Sequence, residues 1–358
     1  MNYKIKLFLE FNEELKNLWN DVEKESHNTC FNSQTWIVNY MLTYEKPNLE
    51  SLRIFVIFFE NKPVCILPFQ IIKKFNINVL QWACDLKSDF NSPIQKKDFV
   101  FDKISFKEIW AKIIKMIPDI DVIYLQKQID FLGNNTNPFI SYLKNYKEGV
   151  IQQILLPDRW EKYTNTILKK KFYLDFMRTK RLLKKEGKVE FVLAKSYEEK
   201  ISFLEVLINQ KNKTLEKINT KPFSNEDLNF YKNFEKYSKK QYETQISAIK
   251  LNGEFIAMHW GIFDNFYYYY LLPTMKEDKF KKFSPGKLLL SMLIRLSISK
   301  KIKFFDFGLG EELYKSKWSN NSKNIYNYIK LNKIKGVHFY ILLNIRQLIK
   351  YLKNAIKK

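Results

Sequence analysis

The stretch Gln245-Ile246-Ser247-Ala248-Ile249-Lys250-Leu251-Asn252-Gly253-Glu254-Phe255-Ile256-Ala257-Met258-His259-Trp260-Gly261-Ile262-Phe263 holds two apolar runs joined by Asn-Gly. Asn-Gly between such runs is the strongest local signal for a tight hairpin, because both turn positions need a positive φ that Asn and Gly adopt at little cost. Outward from it, Asp264-Asn265 turns the chain again and Phe266–Leu272 supplies a third strand. Pro285–Ser299 has the length and apolar content of a buried helix, and Lys303–Phe307 reads as a short final strand. The same order occurs earlier: strands Arg53–Phe59, Val64–Ile72 and Val79–Ala83, helix Ser105–Met116, strand Val122–Leu125. Two β-β-β-α-β units therefore stand in tandem. The fold class that follows is α/β (α+β), each unit a mixed, mainly antiparallel sheet flanked by helices.

Helices precede each unit. In the first half they cover Asn12–Glu25 and Ser33–Tyr44, in the second Asp158–Glu186, Tyr197–Lys211 and Asn225–Tyr237. Asp158 with Glu161 makes a capping box for the long helix, and Gly187 is placed to end it in the left-handed conformation. The boundary falls near Gly149–Pro157, which gives domains at 1–150 and 151–335 and a closing basic helix at 336–358. That last segment places Ile341, Ile345, Leu348, Ile349, Leu352 and Ile356 on one face, with Arg346, Lys350, Lys353 and Lys357 around it. A helix of this kind either docks on its own domain or lies on an anionic membrane surface.

The 61 Lys and Arg against 38 Asp and Glu leave a net charge of +23 over 358 residues, which favours anionic partners. Part of that excess follows a chain-wide bias toward Lys, Asn, Ile, Phe and Tyr. Cys30, Cys65 and Cys84 are odd in number and far apart, so the pattern indicates neither a disulfide framework nor a zinc site, and a reducing cytoplasm fits. The apolar N-terminal patch runs straight into Glu10, Glu13 and Glu14, unlike a signal peptide. No apolar run reaches the ~18 residues of a spanning helix; Leu288–Ile298 is cut by Arg295.

The chemistry concentrates in the second unit. Helix N-termini carry unpaired N–H groups and partial positive charge, so the entry Ser284-Pro285-Gly286-Lys287-Leu288 can hold phosphates; it also reads as a plain, well-capped helix start. Asp306 ends a buried strand and is either a cap for the glycine loop that follows or a group poised for chemistry. Beyond Gly308 and Gly310 come Glu312, Tyr314, Lys315 and Trp318, close enough to return over one pocket. There a phenol can protonate a leaving group and an ammonium can bind an anion. His259, mid-strand, is a candidate base or a core histidine. Alternation puts Tyr267 and Tyr269 on one face of their strand and Tyr268 and Tyr270 on the other. Asp306-Phe307-Gly308 also spells a kinase triplet, but neither a Gly-rich phosphate loop nor a His-Arg-Asp loop accompanies it. The helix bearing Arg178 and Arg181 is strongly basic and could contact a phosphate group or nucleic acid; most such runs are solvated faces.

Together, Ser284-Pro285-Gly286-Lys287-Leu288-Leu289, Phe305-Asp306-Phe307-Gly308 and Gly310-Glu311-Glu312-Leu313-Tyr314-Lys315 with Trp318 resemble the signature of the CelD/BcsL-type acetyltransferases of the GNAT superfamily. Phe31-Asn32-Ser33-Gln34-Thr35-Trp36, Val64–Pro68, Ser88-Asp89-Phe90-Asn91-Ser92-Pro93, Asn137-Pro138-Phe139 and Arg178–Gly187 resemble further parts of that family. The resemblance implies tandem GNAT-like domains, as in the related Fem-type aminoacyl transferases, with donor chemistry in the C-terminal one. It implies acyl transfer from a thioester, acyl-CoA (acetyl-CoA), to an amino or hydroxyl group during synthesis of exopolysaccharide or another envelope glycan. The usual GNAT pyrophosphate loop, Arg/Gln-x-x-Gly-x-Gly/Ala, is absent, and Ser284-Pro285-Gly286-Lys287 takes its place.

On this reading Ser284, Gly286, Lys287 and Leu288 hold the donor phosphates, and a backbone N–H near Tyr269 polarises the thioester carbonyl. His259, Asp306 or Glu312 takes the acceptor's proton and Tyr314 protonates the leaving thiolate, with no metal required. Lys315, Trp318, Arg178 and Arg181 contact an acceptor that is a glycan, nucleotide-sugar or lipid-linked precursor. The expected location is cytoplasmic, either free or peripheral to the inner face of the membrane. Two other readings stand beside it. One is a Fem-like transferase using aminoacyl-tRNA on a cell-wall precursor, the only one in which tRNA takes part. The other is a nucleic-acid or anionic-surface binding protein without catalysis.

Overall fold

Asn252 and Gly253 both take positive φ, 49° and 85°, and the hairpin Glu243–Leu251/Glu254–Phe263 closes with Leu251 opposite Glu254. That is the mirror-image turn that Asn-Gly favours, matched to the twist of the strands. The computed structural model describes residues 3–44, 51–132, 135–238, 241–276, 279–310 and 312–356. Glu311 and the side chains of Lys350, Lys353, Ile356 and Lys357 lie outside the described residues. The chain divides into two units, Met1–Gly149 with Asn324–Lys358, and Val150–Lys323.

In the second unit Val189–Leu193 pairs with the outer edge of the hairpin, and Tyr267–Met275 with its inner edge, both antiparallel. The helix Pro285–Ser299 then returns the chain so that Phe304–Asp306 runs parallel to Tyr267–Tyr269. Gln153–Leu155 adds an antiparallel strand on the far side. Leu288, Leu289, Leu290, Leu293, Ile294 and Ile298 of that helix are buried in one cluster with Ile249, Ile256, Tyr268 and Phe305 of the sheet. Each such side chain contributes roughly 1.5–3 kcal/mol on burial, so the helix is held firmly with its N-terminus near the end of Tyr267–Met275.

The first unit repeats the plan. Tyr3–Phe8, Leu52–Phe59, Lys62–Lys74 and Ile77–Trp82 follow one another antiparallel, Val122–Ile129 lies parallel to Ile77–Trp82, and the helix Lys103–Met116 makes the crossover. Both sheets are thus mixed and mainly antiparallel, flanked by helices.

Two expectations change. Residues 324–358 group with the first unit rather than lying at the end of a 151–335 domain and in a separate 336–358 helix. The reason is pairing: Ile325–Leu331 completes the first sheet against Val122–Ile129, and the closing helix Val337–Ile356 buries Phe339 and Leu343 beside Ile77, Val79 and Val122. The helix expected over Asp158–Glu186 is two, Trp160–Thr166 and Lys170–Lys185. Thr164, Asn165 and Thr166 are poor helix formers, and the break lets Leu168 turn inward. Asp158 makes no capping bond; it sits 3.7 and 3.6 Å from Arg159 and Lys162. Among the described residues, no helix is long and apolar enough to cross a membrane.

Candidate active site

The two parallel strands of the second unit pair only through Tyr267–Tyr269 and Phe304–Asp306. Past Asp306 the chain turns off through Gly308 and Gly310, at φ 63° and 120°, while the other strand continues to Met275. Among the described residues, Tyr270–Met275 therefore has a strand on one side only. A cavity of about 330 Å³ lies there. Tyr270, Pro273, Thr274 and Met275 line it from the strand, and Ser284, Gly286, Lys287, Leu289 and Leu290 from the helix entry. Lys211 and Thr214 of the helix Tyr197–Lys217 and Tyr314 of the short helix Leu313–Trp318 close it.

The helix entry is unusually bare. Ser284 sits in the left-handed region, φ 51°, and its hydroxyl caps nothing, contrary to the expectation of a serine cap. Its carbonyl accepts from Lys287 N–H at 2.9 Å. Pro285 has no N–H, and a side chain on Gly286 would meet only Met275 Sδ, at 3.8 Å. The equivalent helix of the first unit is closed: Asp102 Oδ1 accepts from the N–H groups of Ile104 and Ser105, each at 2.9 Å. Where the first unit supplies its own anion, the second leaves a helix N-terminus and Lys287 beside an open cavity.

Of the residues read from sequence, Ser284, Gly286, Lys287 and Tyr314 share the cavity. The others do not reach it or are otherwise engaged. Leu288 points into the core. Asp306 is fully buried, accepts from Gln153 Nε2 at 2.5 Å and from Gly308 N–H at 2.7 Å, and so fastens the glycine loop. Burial raises its pKa, with those bonds opposing. Lys315 is buried, donating to Leu309 O and pairing with Glu312 at 3.0 Å, so its ammonium is spent inside the loop. Trp318 is a core residue packed edge-on against Phe172 and Phe176. Arg178 pairs with Asp175 at 3.1 Å and Arg181 is exposed; neither lines the cavity.

His259 lies one ring behind the cavity wall. Its imidazole stacks on Tyr270 at 4.1 Å and 9°, and its Nδ1 is 3.0 Å from Tyr268 Oη. Burial, and secondarily Lys211, pushes its pKa well below the ordinary value, so the ring is neutral near pH 7. Glu312 is the exposed carboxylate next to these groups: its charge helps raise both Tyr270 and Tyr314, after burial, and partly offsets the burial that lowers Lys211.

Lys211 is not singled out by the sequence reading; it lines the cavity and its Nζ donates to Pro273 O at 3.0 Å. A signal existed, since it continues the buried stripe Leu204, Leu207, Ile208 at helical spacing, where a lysine is out of place. Tyr269 turns the other way. Its hydroxyl donates to Asp264 Oδ2 at 2.8 Å, and Asp264 also accepts from the N–H groups of Phe266 and Tyr267 at 2.7 and 2.6 Å. Burial raises Asp264 from 3.8 to about 6, the bonds only partly opposing. A carboxyl that stays protonated longer in the folded state contributes stability that is full below about pH 4 and lost by about pH 6. Between those limits the native protein should lose about 1–2 kcal/mol relative to Asp264→Asn, discounted because the loop is partly open to water. Parallel unfolding curves of the two proteins from pH 4 to 7 would contradict this.

Residues 170–316 match the profile of the family described as acetyltransferase (GNAT) domain. The second unit carries a GNAT acyltransferase fold. The solved structure of FemX is similar over 92% of this chain and 98% of its own, at 10% identity and a TM-score of 0.59. The C-terminal domain of a putative lysylphosphatidylglycerol synthetase from Agrobacterium fabrum is similar over 94% and 96%, at 9% identity and 0.55. A tandem GNAT protein from the clavulanic acid biosynthesis pathway is similar over 92% and 98%, at 8% identity and 0.51. These likenesses concern the fold, which in the last case is a tandem GNAT. No curated protein matches this chain by sequence.

Proposed function

We propose that the second unit transfers an acyl group, acetyl in the simplest case, from acyl-CoA to an amino or hydroxyl group of an envelope polysaccharide or its sugar precursor, in the manner of the CelD/BcsL-type enzymes. The observation that carries this is the uncapped helix entry Ser284–Lys287 sharing one cavity with a free strand edge and a phenol, Tyr314. Backbone donors at the entry and Lys287 receive the donor's phosphates. The free edge beyond Tyr269 offers main-chain groups to a pantetheine arm and an N–H to the thioester carbonyl. The acceptor's nitrogen or oxygen attacks that carbon and the C–S bond breaks. Glu312, exposed beside the cavity rather than lining it, takes the acceptor's proton through water; Tyr314 gives one to the departing sulfur. Lys211, tied to Pro273 O, holds the strand edge and adds positive charge to the cavity.

Asp306, Lys315 and Trp318 are support in this scheme. They hold the loop that presents Glu312 and Tyr314, while His259 braces Tyr270 from behind. The acceptor is a glycan, nucleotide-sugar or lipid-linked precursor, met on the cytoplasmic side.

The net charge of +23 keeps a second reading in view, a Fem-like transferase taking its acyl group from aminoacyl-tRNA. A thermal-shift titration separates the two. Acetyl-CoA at a hundred times its Kd should stabilise the protein by about 2.7 kcal/mol, and tRNA should not compete. No shift at about 1 mM acetyl-CoA would overturn the leading proposal. Protection by tRNA alone would favour the Fem-like reading if aminoacyl transfer follows, and simple nucleic-acid binding if none does.

A further inference from the structure

The closing helix Val337–Ile356 carries two apolar stripes where docking on its own unit needs one. Phe339 and Leu343 form the first and are buried beside Ile77, Val79 and Val122. Ile341, Leu342, Ile345, Leu348, Ile349 and Leu352 form the second, each 47–59% exposed. Two further apolar side chains stand out in the same unit. Phe75, 87% exposed, tips the hairpin Lys62–Lys74/Ile77–Trp82 and shares a shallow depression with Lys335, His338 and Leu342. Ile334, 88% exposed, precedes Lys335 in the turn before the helix.

The segment that carries the helix and its approach has charge of one sign, with Asp121 reaching it from a neighbouring element. No Asp or Glu follows Glu312 in the sequence, while Lys and Arg recur to the end. Lys333, Lys335 and Arg346 are exposed, and although Lys335 Nζ lies 3.9 Å from Asp121, its side chain remains 55% exposed. Large aliphatic groups on a helix lying flat, with cations at its borders, match an interface in which acyl chains meet anionic headgroups. A second copy of the chain would bring the same positive charge against this face, which carries six half-exposed large aliphatic side chains on one helix.

We infer that the outer face of Val337–Ile356, with Phe75 and Ile334, is a docking surface for an anionic lipid bilayer. It would hold the protein at the membrane without crossing it. The inference is independent of the acyl-transfer reading and uses none of its residues.

The chain of 358 residues, sedimented with vesicles of phosphatidylcholine alone, should stay in solution. With about 30 mol% phosphatidylglycerol it should partition to the pellet and be released by added salt. Leu342→Ser with Ile345→Ser, both at exposed positions, should lower that partition by about tenfold or more while leaving the circular dichroism spectrum unchanged. Three results would overturn the proposal: no binding to anionic vesicles, equal binding to neutral ones, or equal binding of the double variant. Light scattering without lipid supplies a fourth. A dimer that the double variant dissolves, with no vesicle binding, would assign the face to a second copy. Solution acyl transfer by the double variant reports on the donor site separately, so either proposal can fail alone.

Discussion

Replacing Tyr314 by Phe is expected to lower kcat for acyl transfer by about 10²–10³-fold while leaving the donor's KM within about threefold. Phe keeps the ring and its edge contact with Phe307, so the change removes a proton rather than a wall. The phenol is held protonated, because burial raises it and the neighbouring Glu312 charge raises it further. A high pKa would make a poor acid toward water-exposed sulfur. A thiolate expelled into the same cavity is destabilised by the same loss of hydration, however, so acid and leaving group rise together. The rate should therefore show no falling limb from Tyr314 below about pH 10. A discriminating substrate follows: a thioester of an aromatic thiol, whose anion leaves without help, should restore most of the rate to Tyr314→Phe. A folded variant working at full speed on acetyl-CoA would remove Tyr314 from the chemistry.

How far the sequence disclosed this site depends on what each signal encodes. Strands and the buried helix were legible because their information is local. Asn252-Gly253 dictates a turn and Pro285 a helix start, and Pro285–Ser299 was read with the bounds it has. The final strand of the first sheet was not legible, because nothing in Ile325–Leu331 names Val122–Ile129 as its partner. The same limit explains the site. That Ser284, Gly286, Lys287 and Tyr314 come to one cavity is legible because they cluster in sequence around one motif, whereas Lys211 arrives from a helix more than seventy residues earlier. Lys315 and Trp318 share that motif and so read as ligand-facing, while Asp306, open between a loop cap and a chemical group, caps the glycine loop through Gly308 N–H. A six-residue helix such as Leu313–Trp318 has too few turns for its pattern to declare which side is inside.

The two units differ at their helix entries for a local reason. In both units a helix connects the two parallel strands, but at the first helix entry Asp102 supplies a carboxylate bonded to two N–H groups. An anionic donor would have to displace that charge. Ser284, held in the left-handed conformation by the turn before it, offers nothing in the second. The asymmetry therefore follows from one residue at each helix entry, an aspartate whose side chain satisfies the donors against a serine whose side chain does not.

Gly261→Ala should destabilise the second unit by about 3 kcal/mol or more. A Cβ at Gly261 would lie 2.5 Å from Tyr269 O, 2.5 Å from His259 Cε1 and 2.9 Å from Tyr268 Oη. His259 and Tyr268 are fully buried and hydrogen-bonded to each other, and the carbonyl belongs to the neighbouring strand, where Gly261 is paired with Tyr270 as the register slips. Opening the pair tilts Tyr270, which is at once a cavity wall and the surface on which His259 stacks. Stability and donor binding should fall together. The midpoint of thermal unfolding should drop by about 6 °C or more, and the stabilisation gained from acetyl-CoA should shrink beyond that. A control at the exposed Gly253, where nothing lies within 4 Å but φ is 85°, should weaken the hairpin without touching donor affinity. If Gly261→Ala left both midpoint and donor response intact, the strand contact would be looser than 2.5 Å implies, and Tyr270 would not be positioned by it.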